Sequence, residues 1–155
     1  MKHFKHILCP YDFSEYSNEA VHYAIKMADE NTLITIISVV ELFYNNYPDG
    51  VIYFDQMIQV NSKEALIKYA EKLQEVYPNL KFKYVLEMDN DAVKVILDYH
   101  KKDKSDLIVM ASHGRKGLNR ILMGSVAESI FRDALCPVLL LRKEGEQSSL
   151  INNNH

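Results

Sequence analysis

Leu33 to Val40 reads LITIISVV, eight residues that are apolar or β-branched except at Ser38. A run this continuous, lacking the two-residue alternation of a half-exposed strand, suits a strand buried on both faces of a parallel sheet. The residues before it supply a partner. Phe4 to Cys9 (FKHILC) is too short for a helix and runs into Pro10, so it reads as a strand. Ser14 then offers an N-cap, and Ala20, Val21, Ala24, Ile25 and Ala28 recur at helical spacing, which predicts a helix over residues 15–29.

The alternation continues after Val40. A loop with an aromatic surface is expected over residues 42–55 (LFYNNYPDGVIYFD), where Pro48, Asp49 and Gly50 mark a turn. Ala65, Leu66, Tyr69, Ala70, Leu73 and Val76 form one stripe of a helix over 56–77, ended by Pro78 and Asn79. Lys81 to Glu87 alternates Phe82, Tyr84 and Leu86 with charged residues, the pattern of a strand near a sheet edge. A short helix over 91–101, a strand at 106–110 (DLIVM), a helix carrying Val126, Ala127, Ile130, Phe131 and Ala134, and a strand at 137–141 (PVLLL) complete the order. Five strands separated by four helices predict a single-domain, doubly wound parallel α/β sheet of Rossmann-like type, with right-handed crossovers. There is no internal repeat, and residues 143–155 (KEGEQSSLINNNH) lack periodicity and are expected to be disordered.

Composition narrows the classes. A chain of 155 residues with 48% hydrophobic and 25% charged residues is an ordinary globular domain. Eighteen basic against 21 acidic residues leave no basic excess for a broad nucleic-acid footprint. No apolar run is long enough to span a bilayer, and the opening MKHFKHILCPYDF has no apolar core of a secretory signal, so the expected location is the cytoplasm with no membrane partner. Cys9 and Cys136 lie in apolar runs without metal or redox spacing and read as buried, reduced thiols.

In open α/β sheets, ligands bind beyond the carboxyl ends of the strands, where the strand order reverses. The first strand delivers Pro10, Tyr11 and Asp12 there; the fourth delivers Ala111, Ser112, His113 and Gly114. The stretch Met110–Ser129 holds three of the chain's five glycines, and Arg115, Lys116 and Arg120 place three positive charges in six residues. Gly124 and Ser125 then return the chain to a helix whose unpaired N–H groups and dipole favour an anion. A polyphosphate is the simplest guest. Ser125 and Glu128 also fit the S-x-x-E capping box, a purely structural use compatible with phosphate binding. Neither common glycine-rich phosphate motif is present. Asp12 is placed to meet ribose hydroxyls or a metal-bound water, or simply to turn the chain into the helix. His113 suits either a phosphate contact or a loop-holding role. His3, His6, His22, His100 and His155 show no ligand spacing and read as surface residues.

These residues resemble the universal stress protein family. The family pattern G-x-x-G, nine residues, G-[ST] is matched by Ala111-Ser-His-Gly114, nine residues, Gly124-Ser125, except at the first glycine. ILCPYDFSEYSNEAVHYA at the start and CPVLLLR at the end extend the resemblance over residues 3–142, and MDND at Met88–Asp91 departs from the family's usual Gly-x-Pro turn. The resemblance implies strand order 3-2-1-4-5, a homodimer through the last strand, and, for one subgroup, ATP or ADP as ligand. Carried over by position, Asp12 and Val39 lie at the nucleoside end. Met110, Ala111, His113, Gly114 and Arg115 line the ribose and phosphates, and Gly124, Ser125 and Val126 hold the phosphate tail, with any Mg2+ bound through the phosphates. If residue 111 requires positive φ, alanine there costs on the order of 1 kcal/mol; if it requires only a small side chain, the cost is near zero.

Three functions follow as expectations. The first is a stress-response regulator that binds an adenine nucleotide and acts through unidentified protein partners. The second is a nucleotide-independent dimeric interaction module, suggested by Ala111 and the aromatic 42–55 loop. The third is a slow ATPase, with at most weak hydrolysis because phosphoryl transfer needs an oriented nucleophile and no dedicated base stands out beyond Asp12 and His113.

Overall fold

The computed structural model describes residues 3–41, 51–113 and 123–142. Its elements are β1 (His6–Pro10), α1 (Glu15–Met27), β2 (Leu33–Val40), α2 (Val51–Val76), β3 (Lys81–Met88), α3 (Ala92–Asp103), β4 (Leu107–Ala111), α4 (Ser125–Asp133) and β5 (Val138–Leu141). All the strand pairings are parallel, in the order β3-β2-β1-β4-β5. The order reverses between β1 and β4, as a doubly wound sheet requires.

Two-residue periodicity divides the strands between two cores. Ile7, Cys9 and Tyr11, with Ile34, Ile36, Leu107 and Val109, face α1 and α2, meeting Ala20, Val21, Ala24, Leu66 and Leu73. Leu8, Ile37, Ile108 and Met110 face the other way, onto Ile96 of α3 and Ala127 and Ile130 of α4. With helices on both faces, β1, β2 and β4 have no polar side to show water, which is why their sequences read as continuous apolar runs. β3 has one neighbour and carries exposed Lys81, Lys83 and Glu87. Charged residues on an outer strand discourage pairing with a further chain. Tyr84, expected on the buried side, is 46% exposed, while Val85 packs into the second core.

Ser14 caps α1 as expected, its hydroxyl accepting the Ser17 N–H at 3.2 Å. Two elements differ from expectation. α2 begins at Val51, so residues 51–55 are helical, not loop. The aromatics there lower helix propensity by only a few tenths of a kcal/mol each, too little to break a helix. Residues 42–50 of the expected loop, and the expected disordered tail at 143–155, lie outside the described residues. At α4 the N-cap is Gly124, with no side-chain cap, and Ser125 is the first helical residue. The capping box therefore does not form, because its serine must occupy the non-helical position before the helix.

His6 and His100, read as surface residues, are buried at 8% and 4% exposure. Both are fixed by partners distant in sequence or across a turn: His6 Nε2 lies 2.8 Å from Thr35 Oγ1, and His100 Nδ1 lies 2.7 Å from Ser105 Oγ. Asp106 sits just ahead of β4, and its carboxylate accepts the main-chain N–H groups of Lys5 and His6 at 2.8 and 3.0 Å, fixing the start of β1 against β4. Cys9 is buried and Cys136 half-buried, both free, and burial raises both thiols above their ordinary proton affinity. Thiols held protonated at neutral pH are poor nucleophiles. No described helix is long and apolar enough to cross a membrane.

Candidate nucleotide site at the strand reversal

Main-chain groups alternate in direction along a strand. Lys5 and Tyr11 of the β1 segment face β2, through Leu33 N–H to Lys5 O and Tyr11 N–H to Ile37 O, whereas His6 O accepts from Asp106 on the β4 side. Pro10, two pairs of residues further along, faces β4 and has no N–H to give. The β1–β4 ladder is correspondingly short, with Ile7 opposite Leu107 and Leu8 opposite Ile108, although the strands run on to Pro10 and Ala111. The absent donor shortens the pairing at the strand reversal, where a doubly wound sheet carries its crevice.

The chain then bends sharply over Asp12, Phe13 and Ser14. Asp12 Oδ1 accepts the Ser14 N–H at 3.0 Å and the Ser14 hydroxyl, and the Asp12 N–H donates to Ser17 Oγ at 3.3 Å. The structural role foreseen for Asp12 is thus present, and it fixes the half-exposed carboxylate at the carboxyl end of β1. Phe13 occupies the left-handed region at φ 65°. For a bulky aromatic that is an outlier. Its ring meets Tyr11 edge-on at 5.0 Å between centroids, and Tyr11 in turn stacks on Tyr69 at 4.7 Å, almost parallel. Tyr11 therefore lends its main chain to the strand end while its side chain lies in the core. Nothing in the residue type of Phe13 signals this conformation.

On the other side of the crevice, Ala111 ends β4 opposite Leu141, and it is not among the described residues with positive φ. Alanine therefore carries no left-handed penalty at this position. Beyond it, Ser112 N–H donates to Leu141 O, and the Gly124 N–H donates to Ser112 O, both at 2.8 Å. That second bond brings residues 112 and 124 together at the tip of β4. Gly114 and Arg115, with Lys116 and Arg120, fall between them and lie outside the described residues.

His113 stands at the first bend of the loop. Its Nδ1 lies 2.9 Å from Ser112 Oγ, and its Nε2 is buried without a hydrogen-bond partner among the described residues. A buried polar atom left unpaired is uncommon and costly. Gly124 caps α4 from the extended region, φ −61° and ψ 147°, so its backbone admits any side chain and only its lack of bulk is distinctive. Exposed Ser125 and half-buried Val126 begin the helix, Met110 is buried beneath, and half-buried Val39 lies in β2 opposite Glu87. The crevice thus gathers the ends of β1 and β4 and the start of α4, with small residues at Ala111 and Gly124. Among the described residues there is no cluster of acidic, histidine or cysteine side chains that would hold a metal by itself.

This is a doubly wound Rossmann-like α/β domain with its candidate site in the crevice beside the strand reversal. The family model for the universal stress protein family matches residues 3–142, and the chain belongs to that family. A universal stress protein of Methanocaldococcus jannaschii is 34% identical over 144 residues, covering 90% of this chain and 83% of that protein. Among solved structures, the universal stress protein UspA from Lactobacillus plantarum superposes with TM-score 0.75 at 24% identity, covering 92% of this chain and all of that one. An Arabidopsis thaliana universal stress protein family member, solved with AMP bound, gives TM-score 0.64 at 18% identity over 94% of this chain and 96% of that one.

Proposed function

We propose that this protein is a stress-response regulator that binds ATP or ADP in the crevice between the carboxyl ends of β1 and β4. The observation that carries the reading is the return of Gly124 to Ser112, which brings a helix start without a side-chain cap back to the residue before half-buried His113, whose Nε2 is buried and unpaired among the described residues. Main-chain N–H groups at a helix start, with the dipole behind them, suit a phosphate. The AMP in the Arabidopsis relative supports an adenine nucleotide as the ligand class.

In this reading Pro10 and Tyr11 shape the crevice wall, and Asp12 and the main chain of Val39 meet the nucleoside. Met110, Ala111, His113, Gly114 and Arg115 line the ribose and the first phosphates; Gly124, Ser125 and Val126 hold the tail, and any Mg2+ is held through the phosphates. The protein works as a cytoplasmic homodimer joined through β5, signalling to protein partners with little or no hydrolysis.

Titration calorimetry with ATP and ADP in the presence of magnesium tests this, with Gly124→Val and Arg115→Ala alongside. Because the Gly124 backbone is already extended, valine fills the crevice without straining the helix start. Binding by the native chain that Gly124→Val abolishes, at unchanged melting temperature, is the expected result. A folded native chain showing no heat up to millimolar nucleotide overturns the reading.

A further inference from the structure

At the opposite end of the sheet from the crevice, α3 and α4 come down beside the amino ends of β1, β4 and β5. His100 lies there, 4% exposed, near the end of α3. The Leu135 N–H donates to His100 Nε2 at 3.3 Å, and His100 Nδ1 lies 2.7 Å from Ser105 Oγ and 3.7 Å from Cys136 Sγ. A ring nitrogen that accepts an N–H carries no proton, so the proton of the neutral imidazole is on Nδ1, where it donates to Ser105. His6 is bonded differently. Its Nδ1 lies 3.1 Å from the Asp103 carbonyl oxygen and its Nε2 2.8 Å from the Thr35 hydroxyl, which either gives or accepts a proton. His6 therefore accommodates a second proton without losing a hydrogen bond, and His100 does not.

What His100 holds is the turn between α4 and β5. Leu135 follows the last turn of α4, and its side chain is 79% exposed, so it has little apolar anchorage. Further along, the Pro137 carbonyl accepts Ile108 N–H at 3.0 Å, and β5 is a four-residue strand hydrogen-bonded to β4 alone among the described strands. We propose that His100 is a proton-operated latch on the α4–β5 turn: its neutral imidazole holds Leu135 and the start of edge strand β5, and a proton taken up at Nε2 removes the acceptor and releases the turn.

The charged and titratable groups around the latch act as follows. Burial, then Lys101 on α3, then His6 on β1 hold the proton affinity of His100 below its ordinary value, while the Ser105 contact partly offsets them. Asp103 is held below the usual carboxylate range by Tyr99 and Lys83, Asp106 acts on Cys136, and Asp133 on α4 is lowered by its pairing with Arg132. None of these carboxylates hydrogen-bonds the His100 ring among the described residues. The closed turn favours the neutral ring, whose proton affinity burial holds below the ordinary imidazole value of 6.5, so closure is fully favoured above that pH. Below it the opening constant rises by up to about tenfold per pH unit, until the closed-state value is passed.

Amide hydrogen exchange on the full chain between about pH 7.5 and 4.5, corrected for the intrinsic pH dependence, tests the latch together with imidazole nitrogen shifts. The expected result is that the Leu135 and β5 amides lose protection together below about pH 6.5, while the Ile36 amide in β2 keeps its own. His100→Gln, whose amide oxygen accepts from Leu135 but takes no proton, flattens that dependence. Should His100→Gln fail to fold, the native ring decides: the Nδ1–H tautomer at pH 7.5 supports the latch, and the Nε2–H tautomer overturns it. Unchanged Leu135 protection through the titration of His100, or the same dependence in folded His100→Gln, overturns it as well.

Discussion

Phe13 shows at the scale of one residue how the crevice is shaped. At φ 65° its Cβ crowds the backbone, and the ring contact with Tyr11 holds it there. Glycine adopts that conformation without the steric penalty, and alanine keeps the penalty while losing the ring. Phe13→Gly is therefore expected to be about 1 kcal/mol more stable than Phe13→Ala in denaturant unfolding, with both below the native chain. Equal stabilities would show that the left-handed turn does not persist in solution. The places of Asp12 and His113 just beyond strand ends were legible, but the strain at residue 13 was not, because an aromatic residue does not announce a positive φ. The burial of His6 and His100 was equally hidden. Whether a histidine sits inside depends on which hydroxyls and carbonyls reach it, and Thr35 and Leu135 come to these two rings from 29 and 35 positions away.

Elements were more legible than residues where burial alone determined them. β2 read correctly from LITIISVV because a strand covered on both faces needs little beyond apolar bulk, and β3 read as an edge because its lysines and Glu87 face water. Helix ends were harder, since capping depends on one residue's dihedral angles: α4 took Gly124 as its cap and left Ser125 inside. The other end of α3 is similar. Lys104 closes that helix in the left-handed region, φ 52° and ψ 47°, a position that favours glycine. Lys104→Gly is expected to raise stability by about 0.5–1 kcal/mol, steric relief exceeding the added entropy of the unfolded chain. A lower melting temperature for this variant would indicate that the lysine side chain contributes more than its backbone costs.

For the whole molecule, the sheet has two unlike edges. β3 is guarded by charge, whereas β5 is four half-buried apolar residues with exposed Phe131 and Leu135 close by in sequence. An apolar outer strand needs cover. Light scattering at micromolar concentration and neutral pH is expected to give twice the 18.0 kDa chain mass. A single-chain mass would remove β5 as the dimer contact. The bond from Gly124 to Ser112 has a consequence of another kind. It joins the residues that flank the basic segment directly to each other at the tip of β4. Because the entropy of closing a loop changes by only about 0.6 kcal/mol when its length doubles, a change in the number of residues between Ser112 and Gly124 adds little entropic cost to folding. Selection can therefore vary this segment while the two-sided core beneath it stays the same.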